Sequence, residues 1–271
     1  MIKFLYTVID LLRIAYSAKI RQKAPIVSTE KNLRILGNGN SLKECSFETN
    51  REYDYLVVNR HVLCDNYTEL KPRYYVLADS HFFSHPEGLS ILKAISDKTV
   101  WDMILFIPYG RKTRDTANTL LRSNSYITIH FYNTYNYRGY KKIAYWLYDS
   151  QLAMPRVQNV LVPAIMLGLY MKYTTIELYG VEHSWTKYLF VGDDNLVYLD
   201  NPHSYDKVKT PPKPFKDIQY KEDFPMWHVL ECYMYMFKSY SIIKDYLNSN
   251  KIGTKIINKT PNSFIDSFDR S

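Results

Sequence analysis

Leu33-Arg34-Ile35-Leu36-Gly37-Asn38-Gly39-Asn40-Ser41-Leu42-Lys43-Glu44 reads as a short apolar strand, a glycine turn and the start of a helix. A glycine-rich turn at a strand end lets backbone approach a ligand closely, and the N–H groups of a following helix start face anions such as phosphate. The stretch is neither a GxGxxG fingerprint nor a P-loop, since it carries no lysine before a Ser/Thr at the required spacing. Outward from it, residues 55–58 and 74–77 are apolar runs ending at Asn59 and at Ala78-Asp79-Ser80-His81. Polar side chains thus follow three successive strand ends. Further strands are expected at 103–107, 126–131, 175–179 and 255–258, with helices at 159–173 and 228–248 and a short helix at the carboxyl terminus. This alternation predicts an α/β fold with a Rossmann-like open, mostly parallel sheet flanked by helices, and ligands gather beyond the carboxyl ends of such strands.

A single core is expected over residues 32–271, interrupted by a lid at about 183–227. There the pattern breaks into Gly192-Asp193-Asp194-Asn195, Asn201-Pro202-His203 and Pro211-Pro212-Lys213-Pro214. The Asp193-Asp194 pair could hold a divalent ion on a diphosphate, but Asp and Asn beside Gly are also what a turn requires. The turn is the preferred reading, and no metal site is expected. The aromatic stripe Tyr233, Tyr235, Phe237 and Tyr240 reads as a packing surface of the long helix.

Residues 1–24 form a separate amphipathic helix. Lys3, Thr7, Asp10, Arg13 and Ser17 fall on one side and Phe4, Leu5, Val8, Leu12 and Ala15 on the other. Asp10 and Arg13 interrupt the apolar run, which argues against a transmembrane span, and no small-residue cleavage site follows. With Lys19, Arg21 and Lys23 behind it, the helix suits either an anionic membrane surface or packing on its own domain or a partner. Residues 24–31 read as a linker.

The net charge of +8 and pI near 9.1 favour anionic partners. No compact basic block or nucleic-acid-binding motif appears, so nucleic acid is not an expected partner. Cys45, Cys64 and Cys232 have neither disulfide-framework nor zinc spacing. The expected setting is a reducing cytoplasm, with peripheral attachment to the inner membrane face.

Residues 35–44 resemble the amino-terminal motif of bacterial sialyltransferases of glycosyltransferase family 42. Later segments are similar in the same order: Asn59, residues 79–83, Gln158-Asn159 with the helix after them, Glu177-Leu178-Tyr179-Gly180-Val181-Glu182, and Pro261-Asn262-Ser263. The resemblance implies an inverting glycosyltransferase that moves sialic acid, Kdo or a similar sugar from a CMP-sugar to a surface polysaccharide or lipid-linked glycan, with no cofactor and no required metal. It assigns Gly37, Asn38, Gly39 and Ser41 to the donor phosphate, Asn59, Gln158 and Asn159 to sugar or nucleotide, and Glu182 to ribose or base, and it adds Asp79 to the donor contacts. Asn59, Gln158 and Asn159 also suit plain capping roles.

It further implies a general-base histidine, and an imidazole with an ordinary pKa of about 6.5 suits that work. His228 is the nearest match by topology, ahead of His203 and His183, although a residue count back from Pro261 puts the family's base near 237–240. A pyrophosphokinase-like phosphate-transferring enzyme and a non-catalytic membrane-associated binding module are the alternatives.

Overall fold

The computed structural model describes residues 2–17, 23–27, 31–47, 52–200, 204–205, 211–215 and 223–270. His203, Lys19 and Arg21 lie outside them.

In chain order the elements are α1 (Ile2–Ser17), β1 (Asn32–Leu36), β2 (Tyr53–Val58), α2 (Tyr67–Leu70), β3 (Tyr74–Val76), α3 (Pro86–Lys98), β4 (Met103–Pro108), α4 (Arg111–Leu121), β5 (Ile127–Tyr132), α5 (Lys141–Asp149), α6 (Leu161–Tyr170) and β6 (Thr175–Tyr179). After them come β7 (Leu189–Val191), β8 (Val197–Leu199), β9 (Lys213–Pro214), α7 (Met226–Ser249) and β10 (Lys255–Asn258). Seven strands pair in parallel in the order β10-β6-β1-β2-β3-β4-β5. The chain steps outward from β1 to β5, then returns to place β6 on the other side of β1. The order therefore reverses between β1 and β6, and a crevice opens there at the carboxyl ends.

Strand alternation splits the core into two layers. Leu33, Ile35, Leu56, Val58, Ile176 and Leu178 pack toward α5, α6 and α7, whereas Leu36, Val57, Tyr75, Leu77 and Leu105 pack toward α2, α3 and α4. Every residue of α6 is buried. A Cβ on Gly168 would lie 2.8 Å from Ile176 and 2.9 Å from Leu33, so the missing side chain lets the helix sit directly on the sheet.

Three expectations are corrected. Residues 42–44 do not open an α-helix: Asn40–Glu44 is a single stretch of 3-10 helix that ends at Cys45. The described residues after Ser263 are irregular chain closed by a bridge between Ile257 and Asp269, with no helix. Residues 23–27 are a packed segment, since Ala24 is buried, its N–H bonds Gln151 Oε1 at 2.8 Å, and Val27 N–H bonds Met171 O at 3.0 Å. The lid region contains a small antiparallel sheet, β7-β8-β9.

Helix α1 docks by its polar side. Thr7, Asp10 and Ile14 are buried, while Phe4, Leu5 and Leu12 are 62%, 57% and 66% exposed. No helix among the described residues is long and apolar enough to cross a membrane.

Candidate functional site

A cleft of about 1180 Å³ opens at the carboxyl edge of the sheet, centred on the β1/β6 reversal. It exceeds the roughly 300–1,000 Å³ usual for small-molecule sites. Its lining includes every residue assigned to the donor from sequence except Ser41.

The floor is formed by the two strand ends locking into each other. Gly37 N–H donates to Tyr179 O at 2.8 Å and Gly39 N–H to Gly180 O at 2.9 Å. A Cβ on Gly37 would meet Gly180 O at 2.2 Å, and one on Gly39 would meet Glu182 Oε2 at 1.4 Å. Gly180, at φ +63°, makes the left-handed bend that sends the chain back under the turn. Glu182 Oε1 then accepts from Ser41 N–H at 2.7 Å. The amides of Gly37, Gly39 and Ser41 are thus taken up within the fold. Ser41 lies behind the floor and holds Glu182 in place.

The groups left over are side chains. Asn38 Nδ2 donates to Val58 O at 3.1 Å, and Asn59, at φ +49°, pairs its backbone with Val76 O and Tyr75 Oη. The amide oxygens of both are buried without a partner among the described residues. Asp79 Oδ1 accepts from His81 N–H at 2.8 Å and caps the turn at Ser80–Phe83. Arg60 and Arg156, which the sequence reading passed over, bring cationic groups to the lining. Arg60 pairs with Glu87 Oε1 at 2.7 Å, and Arg156 lies 3.8 Å over the Tyr235 ring. Neither belongs to a motif, so only the folded arrangement reveals them.

His183 and Trp185 give the lining an aromatic side, and Tyr240 and Tyr233 pack on them from outside it. Rings stack in the order Tyr240, His183, Trp185 and Tyr233, with centroid spacings of 5.6, 4.5 and 5.7 Å. Asn159 joins the walls: its Oδ1 accepts from Leu161 and Val162 N–H at the start of α6, and its Nδ2 donates to Tyr240 Oη at 2.6 Å. The capping role thus holds for Asn159, which also lines the cleft.

Tyr240 Oη lies 3.1 Å from His183 Nδ1. With Asn159 donating to Tyr240, the fully paired arrangement has the Tyr240 hydroxyl donating to Nδ1, leaving His183 neutral with its proton on Nε2. Loss of solvation inside this wall pushes the His183 pKa down to about 3.

Of the three candidate bases, His183 lines the cleft. His228 does not; it stacks between Phe224 and Trp227 at the start of α7, with centroids 4.4 and 5.2 Å away. Residues 237–240, the alternative position for the base, hold Tyr240. The Asp193-Asp194 pair is a hairpin turn: Asp194 accepts from Leu196 N–H at 3.1 Å and Tyr198 Oη at 2.7 Å, and Asn195 takes φ +62°.

Among the described residues, the group that could hold a metal ion is His81, His85 and Glu87, whose ligand atoms lie within 4.8 Å of one another. Glu87 is already paired with Arg60. No cysteine among the described residues is in a disulfide.

The turn from β6 is braced from behind. Ser263 Oγ donates to Val181 O at 2.7 Å, Val181 N–H donates to Thr260 Oγ1 at 3.1 Å, and Phe264 N–H donates to Glu182 O at 2.7 Å. Pro261-Asn262-Ser263 therefore acts in this fold through the floor it supports.

No protein-family model and no curated protein sequence matches the chain. Among solved structures it is similar to the monofunctional alpha-2,3-sialyltransferase Cst-I from Campylobacter jejuni, with a TM-score of 0.49 and 14% identity over 93% of this chain and 84% of that one. It is also similar to an alpha-2,3-sialyltransferase from Campylobacter jejuni in apo form, with a TM-score of 0.45, 14% identity and the same coverage.

Proposed function

We propose that the chain is a glycosyltransferase that takes a sugar, sialic acid, Kdo or similar, from a CMP-linked donor and inverts the anomeric carbon without a metal. The acceptor is a surface polysaccharide or a lipid-linked glycan at the inner membrane face. The observation that carries this reading is the convergence of Gly37, Asn38, Gly39, Asn59, Asp79, Gln158, Asn159 and Glu182 on one cleft at the β1/β6 reversal. They come from five separate places in the sequence, in the order of the family resemblance.

In this reading the Asn38 and Asn59 amides receive the donor, with Arg60 and Arg156 compensating phosphate charge. The acceptor oxygen bonds to the anomeric carbon as the bond from that carbon to the phosphate oxygen breaks. CMP leaves with the bonding pair, and the acceptor proton passes to a histidine. His183 is the candidate within the lining, where burial makes its ring less basic than an ordinary imidazole. To accept the proton on Nε2 it must move its own proton to Nδ1, with Tyr240 turning from donor to acceptor.

Calorimetric titration with CMP, CDP, UDP, GDP and ATP, with and without magnesium, tests the donor class. CMP alone should bind, and Asn38→Ala should weaken it about tenfold, the cost of one hydrogen bond at a buried amide. Unchanged CMP affinity in that variant would remove the donor placement, and ATP binding that requires magnesium would transfer the cleft to phosphate chemistry. Wild-type turnover in His183→Ala, His203→Ala and His228→Ala alike would remove the histidine base.

A further inference from the structure

Helix α1 presents its two faces the opposite way round from an ordinary surface helix. Its polar side is the docked one. Asp10 is 4% exposed and accepts from Arg138 three times: from the backbone N–H at 2.9 Å, from Nε at 3.1 Å and from a terminal nitrogen at 2.7 Å. Thr7 Oγ1 accepts from Tyr137 Oη at 2.9 Å. Gly139 permits the approach, since a Cβ there would lie 2.2 Å from Thr7 Oγ1. A helix fixed through buried, fully paired polar groups has its orientation set.

That orientation turns Ile2, Phe4, Leu5, Val8, Leu12 and Tyr16 outward, at 67%, 62%, 57%, 40%, 66% and 85% exposure. At about 100° per residue they occupy one continuous arc of roughly 160° on the side away from Thr7, Asp10 and Ile14. An apolar strip of this kind left exposed calls for an occupant.

Charge selects among occupants. Residues 1–23 carry Lys3, Arg13, Lys19, Arg21 and Lys23 against one acid, Asp10, which is buried in its pairing with Arg138. Arg13 is exposed at the edge of the strip, Lys3 is exposed on the polar side near the helix start, and no acid on the helix faces outward. A second copy would bring two such cationic segments together. An anionic lipid surface accepts both the strip and its charge.

The helix is also tied to the cleft. The connection between β5 and α5 holds α1 through Tyr137, Arg138 and Gly139, while Thr134 and Asn136 of the same connection line the cleft.

We propose that the outward face of α1 seats the protein on an anionic membrane surface and thereby sets the rim of the cleft against the lipid, so that the acceptor is carried on a lipid. The docking surface stands on α1 alone; the acceptor class rests on the transferase reading above.

Co-sedimentation of the full chain with phosphatidylcholine vesicles, with and without phosphatidylglycerol, tests the surface. Wild type should pellet with the anionic vesicles and less so as salt rises. The double variant Phe4→Glu/Leu12→Glu should partition at least about tenfold more weakly, with melting temperature and CMP affinity unchanged, because both side chains point into solvent. The proposal is overturned if wild type stays in the supernatant or if the double variant pellets equally. It is also overturned if sedimentation equilibrium shows a dimer that the double variant dissolves, which would give the face to a second copy. Vesicle binding by a protein that binds no nucleotide would keep the docking surface and remove the lipid-linked acceptor along with the transferase.

Discussion

The strand-end wall and the aromatic wall of the cleft hold their side chains by different means. In the first, Gly37, Gly39 and Gly180 bring two backbones so close that hydrogen bonds between the strand ends fix the floor before any side chain is considered. In the second, position comes from ring stacking and one relay, Asn159 to Tyr240 to His183. The backbone wall has little room to move. In the aromatic wall the Tyr240 hydroxyl stands between two partners, Asn159 and His183, and in the proposed transferase this would be the reacting side and the other wall the donor side.

The largest expected effect comes from attacking the backbone wall. Gly37→Ala drives a Cβ to 2.2 Å from Gly180 O, a backbone atom braced by β6 and unable to step aside. We expect a loss of about 3 kcal/mol in urea unfolding, the upper end for overpacking, with CMP binding lost in the folded fraction. Gly253→Ala, where a Cβ meets nothing within 4 Å, should stay within about 1 kcal/mol of wild type. Equal behaviour of the two variants would break the contrast between the walls.

The next effect belongs to the aromatic wall and depends on pH. Burial lowers His183 from its usual 6.5 to about 3 and His61, fully buried beside Gly37, to about 4. Both stay neutral in the fold, whereas the unfolded chain takes up their protons below about pH 6.5. Stability due to the neutral rings is therefore fully present above pH 6.5 and lost as pH falls toward 3–4. Melting temperature should decline across that window, and His183→Asn should flatten the decline while His61 and the buried His130 keep the remainder. Tyr240→Phe, which leaves Asn159 and His183 without their shared hydroxyl, should cost about 1–3 kcal/mol and slow turnover while CMP affinity holds. A matched loss of CMP affinity would mean that the walls are not separable.

The same contrast explains what could be read from the sequence. The floor was legible because close backbone approach demands glycine, and glycine followed by Asn59 and Asp79 at strand ends leaves a pattern along one stretch of chain. Strand identity carried over as well: β1, β2, β4, β6 and β10 fall where apolar runs put them. The β1/β6 reversal was not legible, since strand order is set by crossovers and packing across the whole sheet. His183 was named but not preferred, because its environment comes from Trp185 in the lid stretch and from Tyr233 and Tyr240, whose sequence pattern reads as helix packing. Arg60 and Arg156 carry no motif at all. For α1 the two faces were divided correctly, but periodicity cannot say which face docks; that was decided by Arg138 and Gly139, more than a hundred residues away.

The smallest effect should come from the hairpin that lies beyond both walls. Asp194 is held below the usual carboxylate range, first by the Tyr198 hydroxyl and then by the Leu196 amide. Both partners belong to its own hairpin, and the side chain is open to solvent. Asp194→Asn keeps an acceptor for the amide and removes the charge that a metal on a diphosphate would need. If the pair is only a turn, melting temperature, CMP affinity and turnover should all match wild type, and manganese should give the same calorimetric trace with either protein. A drop in the variant's turnover, with manganese raising turnover in the wild type alone, would move this hairpin into the site and give the cleft a third, metal-holding wall.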